Sequence, residues 1–195
     1  NRRDGSNRER ASREYASRDS DRQSRSREQR ESNPGVVKMT SANSDSAKTE
    51  WKFYLGRNDS VVDAPAIGAR TAERLEAVGI STVAELLKAD ADSVSEQLDV
   101  KRFTPHVITQ WQQQAELACR VPQMRGHDAQ ILVALGVADV EELAASDPQE
   151  LWTLVEPFVD TKEGKRIIRN GKTPDLEEVT EWVQWAQASR QLHAA

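Results

Sequence analysis

Four consecutive residues, Ile67, Gly68, Ala69 and Arg70, with Arg74 a turn further on, have the types and spacing to hold a phosphate. A glycine at the start of a helix leaves the first backbone N–H groups open, and those groups together with the helix dipole make an anion site. In that arrangement Ile67 plugs the core, Gly68 and Ala69 donate, and Arg70 and Arg74 add charge. The alternative is a turn that only packs two helices. A second candidate is the basic run Lys162, Lys165, Arg166, Arg169 and Lys172, the densest in the folded part. On a helix, 162, 165, 166 and 169 share a face that would meet phosphates or an acidic partner; the alternative is a solvated helix with cations toward its C-terminal end.

Other chemistry is thin. The chain has no Gly-rich phosphate loop, no His-Glu-x-x-His, no nucleophile elbow and no acids at two-metal spacing. His106, His127 and His193 are far apart and lack ligand spacing. Cys119 is the only cysteine, which excludes an intrachain disulfide, and its helical neighbours read it as a small buried hydrophobe. No metal or other cofactor is expected, and no catalytic residue.

Two stretches of the chain are copies of one unit. Pro65, Ala72, Leu75, Gly79, Val83 and Leu86 fall on Pro122, Ala129, Leu132, Gly136, Val140 and Leu143 at an offset of 57. A later element matches at an offset of 71, with Ile108, Trp111 and Ala115 over Val179, Trp182 and Ala186, so the second copy holds 14 extra residues between Val155 and Thr173. Such self-similarity means a duplicated supersecondary unit whose copies bury their apolar faces together. Where the first copy has Ala66-Ile67-Gly68, the second has Gln123-Met124-Arg125, and Gly126 comes one residue later. The second hairpin is therefore expected to differ in shape, with Arg125 and Gly126 as its weaker phosphate candidates.

The helices that carry these residues have legible starts and stops. Thr82 with Glu85, Asp139 with Glu142, and Asp147 with Glu150 are spaced as N-cap and N3 partners, while Gly79 and Gly136 stop the first helix of each copy. The pattern predicts helices near 68–78, 82–89, 92–98, 105–119, 126–135, 139–145, 148–156, 161–170 and 174–192, the last opened by Thr173-Pro174. Strand signals are confined to Trp51–Leu55, which reads equally well as an extended clamp on the core. The fold is expected to be all-α, with a first unit at 49–120 and a second at 121–195.

Residues 1–48 are expected to form a disordered Arg/Ser-rich tail. The first 33 hold ten Arg, seven acids and a single large apolar residue, Tyr15, too little to offset the entropy of ordering. The chain begins with Asn, which points to the C-terminal part of a longer protein. It contains neither a signal-peptide pattern nor the roughly 20 apolar residues of a membrane span, so a cytoplasmic setting and no membrane partner are expected. From Glu50 onward 24 acids face 15 bases, a net −9, which repels nucleic acid at long range and demands a local basic patch for any binding.

Residues 61–86 resemble a helix-hairpin-helix motif with its following helix. The resemblance implies that the Ile67-Gly68-Ala69 hairpin sets backbone N–H groups against a nucleic-acid phosphate. Ala66 departs from the glycine usual at the first hairpin position. Enzymes of that family need an aspartate or lysine beside the hairpin; Asp63, Lys88 and Asp128 are available, but read better as turn, cap or solvated residues. Weaker likeness links the first unit to the C-terminal helical domains of the RNA polymerase alpha subunit and of competence regulators. Over residues 50–195 the chain is similar to a bacterial domain-of-unknown-function family, number 4332. The residues that carry this are Val61-Val62-Asp63-Ala64-Pro65, Ile67-Gly68, Thr71-Ala72-Glu73-Arg74-Leu75, Cys119-Arg120-Val121-Pro122, Arg125-Gly126-His127-Asp128-Ala129-Gln130 and Pro174-Asp175-Leu176.

Two functions stand nearly level on the sequence. One is a non-enzymatic DNA-binding module that contacts phosphates through the first hairpin and the basic helix. The other is a protein-interaction module that has kept the architecture and lost the ligand. No small-molecule substrate is expected from either.

Overall fold

Caps decide where the helices begin. Thr82 Oγ1 accepts the Glu85 N–H at 3.3 Å while the Glu85 carboxylate accepts the Thr82 N–H at 2.9 Å, a reciprocal box that satisfies two orphan donors. Asp139 accepts the Glu142 N–H, and Asp147 those of Gln149 and Glu150, all at 2.9 Å. The computed structural model describes residues 51–169 and 171–192. The segment 1–48, Asn170 and His193 lie outside the described residues. Within the described residues the elements are a 3-10 turn at Val61–Asp63 and helices α1 (Ala69–Ala77), α2 (Val83–Lys88), α3 (Ala91–Leu98), α4 (Pro105–Arg120), α5 (Gly126–Ala134), α6 (Val140–Ala145), α7 (Pro148–Val159), α8 (Lys162–Ile168) and α9 (Leu176–Gln187). Extended pairing among them amounts to one bridge, Ser60 to Thr82, so the fold is all-α. No helix of the described residues is long and apolar enough to cross a membrane.

Four expected boundaries move. Helix α9 starts at Leu176 rather than 174, because the Asp175 carboxylate caps it by accepting the Glu178 N–H at 2.9 Å. A carboxylate at the positive end of the dipole outcompetes the Thr173 hydroxyl. The same helix ends at Gln187, well short of 192, because the chain then turns back onto α4. Helix α8 ends at Ile168 and leaves Arg169 beyond it at φ 53°, so Arg169 does not continue the face of Lys162, Lys165 and Arg166. Helix α7 runs on to Val159 through Pro157, whose ring is exposed.

The duplication is visible in the packing. Leu75, Val83, Leu86, Ile108 and Trp111 build the first core, and their counterparts Leu132, Val140, Leu143, Val179 and Trp182 build the second. Helices α2 and α3 pack on α4 as α6 and α7 pack on α9, and α4 against α5 joins the two. The extra residues of the second copy supply the last turn of α7 and all of α8, which lies on α7 and α5. Gly164 permits that approach. A Cβ there would strike the Phe158 carbonyl oxygen and lie 2.7 Å from Val159 Cα.

The two ends of the described stretch meet at the C-terminus of α4, where backbone carbonyls have no helical partner. The Arg190 N–H donates to the Arg120 carbonyl at 2.9 Å, and the Arg190 guanidinium donates to the carbonyls of Cys119 (2.8 Å) and Leu55 (3.1 Å). The same guanidinium lies 3.8 Å over the Phe53 ring. Arg120, nearly buried, donates through Nη1 to Glu116 at 3.1 Å, pairs with Glu141 and reaches the Arg190 carbonyl at 3.3 Å through Nε. Trp51–Leu55 is thus an extended clamp; the Lys52 carbonyl accepts the Gln123 N–H at 2.7 Å and Leu55 is buried.

Gly164→Ala is expected to cost about 1–3 kcal/mol in urea unfolding, because backbone rather than a flexible side chain stands in the way. Gly68→Ala, with open space around it, should stay within about 0.5 kcal/mol of the parent. Arg190→Ala is expected to cost about 1–2 kcal/mol by the same measurement, through two carbonyls left without a charged donor and the lost stacking on Phe53.

Candidate phosphate-binding interface

The first turn is set by a proline and a left-handed alanine. Pro65 takes the second position, Ala66 has φ 62°, and the Ile67 N–H closes the turn on the Ala64 carbonyl at 3.2 Å. This is the pattern of a type II turn, which glycine usually completes. Alanine in the left-handed region costs about 1–2 kcal/mol, so packing holds the turn in place. Ile67 is 6% exposed and plugs the first core. Gly68 follows with φ −97° and ψ 168°, ordinary extended backbone, and nothing lies within 4 Å of where its Cβ would be. Glycine here is not demanded by conformation; it leaves the surface clear. Gly68, Ala69, Arg70 and Arg74 are all exposed on this side of α1.

Among the described helices α1 stands apart at its N-terminus. It has neither a side-chain cap nor an acidic residue in its first turn. Thr82, Asp90, Thr104, Asp139, Asp147, Thr161 and Asp175 cap the other helices, α5 apart. The start of α1 is therefore without a capping side chain, and of its first-turn N–H groups that of Thr71 closes on the Gly68 carbonyl at 2.8 Å.

The second turn has the same backbone. Gln123 has φ 60° where Ala66 has 62°, Met124 is fully buried where Ile67 plugs, and Arg125 caps at φ −86° and ψ 158°. The different shape expected from Gly126 is not found. Gly126 occupies the first helical position of α5, as Ala69 does in α1, because Pro122 and a buried plug fix the turn without glycine. What differs is the charge. Asp128, fully buried, accepts the Arg125 N–H through Oδ2 at 3.3 Å, so the protein's own carboxylate holds this helix end. Arg125 Nη1 pairs with nearly buried Glu178 of α9 at 3.3 Å. Gly126 faces Pro65, 3.6 Å from its Cγ as measured from an ideal Cβ. Beyond Arg125 the stretch 126–161 holds eight acids and no Lys or Arg.

Burial, with the neighbouring Glu178 charge, pushes the Asp128 carboxyl up to about 7. His127, half-buried with Nε2 3.2 Å from Asp128 Oδ1, is lowered by burial and then by Arg125. Sequence reasoning placed Asp128 only as a cap or turn residue. Glu178 is fifty positions away, and no local pattern signals its approach.

On α8 the cations are exposed, but Lys165 lies 3.4 Å from Asp160 and Arg166 3.4 Å from Glu163; Lys172 beyond it lies 2.9 Å from Asp175. Exposed pairs of this kind are weak and part readily. Burial pushes the Cys119 thiol up to about 11, so it is no thiolate nucleophile. Trp111 and Trp182 are core residues, and Trp185 packs partly buried against the second core. No group of three His, Cys, Asp or Glu among the described residues has metal-holding geometry. A groove of about 350 Å³ opens at the opposite end of α1, between Gly79, Lys88, Asp90 and Gln97.

No curated protein and no solved structure matches the chain. One family model matches residues 65–189, nearly two thirds of the sequence and most of the helical body described above. That span takes in both copies of the repeat, the inserted α8 and α9, and on it the chain belongs to the family described as a domain of unknown function, DUF4332.

Proposed function

We propose that this chain is a non-enzymatic nucleic-acid-binding module that grips one phosphate on the helix-hairpin-helix-like turn at Ile67–Ala69. The observation that carries the reading is the N-terminus of α1, the described helix end with neither cap nor acid, exposed and flanked by Arg70 and Arg74. N–H groups without a side-chain cap, the helix dipole and two guanidinium groups suit a backbone phosphate and carry no base-reading information. Binding is then weak, independent of sequence and steep in salt. Arg125 and Gly126 are secondary, since Asp128 already occupies their anion position. Lys162, Lys165, Arg166 and Arg169 add diffuse attraction once their surface pairs open. A cytoplasmic setting fits a ligand of this kind.

A second reading has its own support. The seven exposed acids at 129–161, a stretch with no Lys or Arg, favour a basic protein partner on the second unit, with DNA binding lost.

Fluorescence anisotropy of labelled duplex, single-stranded and branched DNA against the full chain tests the choice. Saturable binding is expected, its log affinity falling with log salt at a slope of about −2 to −3, for two or three neutralised phosphates. Gly68→Glu should abolish it while leaving helix content and melting unchanged, since the new side chain enters open space. An unaltered affinity would exclude the turn as the contact. Charge reversal at Lys165 and Arg166 is expected to weaken binding less than Gly68→Glu; an equal or greater loss would move the main contact to α8. Absence of binding by the parent chain at low salt would favour the protein-partner reading.

A further inference from the structure

We propose that Arg125, His127, Asp128 and Glu178 form a proton-sensitive latch that fastens the first turn of α9 to the second turn and to α5. The geometry is that of a closed cluster. Asp128 is fully buried; Oδ2 accepts only the Arg125 N–H at 3.3 Å, and Oδ1 accepts no hydrogen bond but stands 3.2 Å from His127 Nε2. Glu178, 7% exposed, brings a second carboxylate from α9 and is tied to the cluster through Arg125. Two buried carboxylates thus share one arginine and a half-buried histidine.

Compensating charge from other described residues is slight: Lys172, exposed just before α9, feels the Glu178 charge but is paired with Asp175 at 2.9 Å. The cations of α8, which packs on α5, are exposed; Arg120 of α4 is engaged with Glu116 and Glu141; α6 and α7, which pack on α9, carry acids and no Lys or Arg; and Pro65, from the first turn, is uncharged. With a proton between Asp128 and His127 the cluster is near neutrality. When that proton leaves, two buried carboxylates face one guanidinium, an arrangement whose desolvation is poorly repaid.

The direction in pH follows from the two shifts. Asp128 is raised from 3.8 to about 7. Its contribution to holding the latch is fully present below about pH 4, shrinks as pH rises and is gone above about 7. His127 is lowered from 6.5, so its contribution is present above that value and lost as pH falls. The two oppose one another, and the Asp128 part is isolated by comparing the parent with Asp128→Asn, which keeps His127.

Amide hydrogen exchange by NMR on the full chain, corrected for intrinsic exchange from pH 5 to 8, reads the latch directly. At Arg125, Glu178 and Val179 the ratio of parent to Asp128→Asn protection is expected to fall with pH, by at most about tenfold per unit because one proton is linked, and to level off above about 7. A ratio independent of pH would overturn the latch. If Asp128→Asn does not fold, Glu178→Gln serves: removing the neighbouring charge should move the parent's transition to lower pH, and an unmoved midpoint would overturn the proposal equally. Neither result depends on whether the first turn binds phosphate.

Discussion

Helix α4 is buried on both sides, and the rest of the fold is arranged around that fact. Ile108, Trp111 and Ala115 face the first core while Leu117 faces the second, so one helix closes one unit and opens the next. Such a helix needs its C-terminal carbonyls satisfied inside the protein. Arg190 supplies the donors, from seventy positions away, and draws the N-terminal clamp at Phe53 and Leu55 into the same knot. Arg120 returns a hydrogen bond to Arg190 and binds carboxylates from α4 and α6. The ends of the described chain are therefore held where the two units meet, and both turns inherit their positions from that junction.

The two turns separate backbone shape from chemistry. A proline, a left-handed residue and a buried plug produce the same path in each copy, although one has Ala66-Ile67-Gly68 and the other Gln123-Met124-Arg125. Charge then makes them unlike. One helix end is left bare with two arginines beside it; the other is filled by a buried carboxylate and backed by a second. Such divergence leaves one helix end without an acid of its own and commits the other to internal packing. The strongly acidic second unit reinforces the contrast, since long-range repulsion there would orient any nucleic acid toward the first.

The phosphate reading and the acidic body pull in opposite directions, and magnitude decides between them locally. Screening at physiological salt shortens the reach of surface charge to about 8 Å, so remote acids on α6 and α7 weigh less than Arg70 and Arg74 beside the site. Hydrogen bonds from oriented N–H groups are screened less than surface charge. A weak, salt-sensitive contact is the outcome these terms allow, and a tight sequence-reading one is not.

Much of this was legible in the sequence because caps and apolar spacing act over three or four residues. The Thr82 box, the Asp139 and Asp147 caps, the starts of α4 and α7, the paired core positions and the family followed from local pattern. The errors came where two local signals competed, as at Thr173 against Asp175, or where a distant partner ended a helix early, as Arg120 did for α9. Glycine was overvalued for the same reason: the turn is held by packing around Ile67 and Met124, a tertiary force with no signature in the three residues themselves. By itself the sequence determined that the chain would form short capped helices carrying two matched sets of core positions. Only the tertiary structure decided that α1 alone, among the described helices, begins with neither a capping side chain nor an acid in its first turn, and that buried Asp128 lies close enough to Glu178 to feel its charge. Orphan donors and buried charges are defined by what surrounds them, and those surroundings come from residues tens of positions apart.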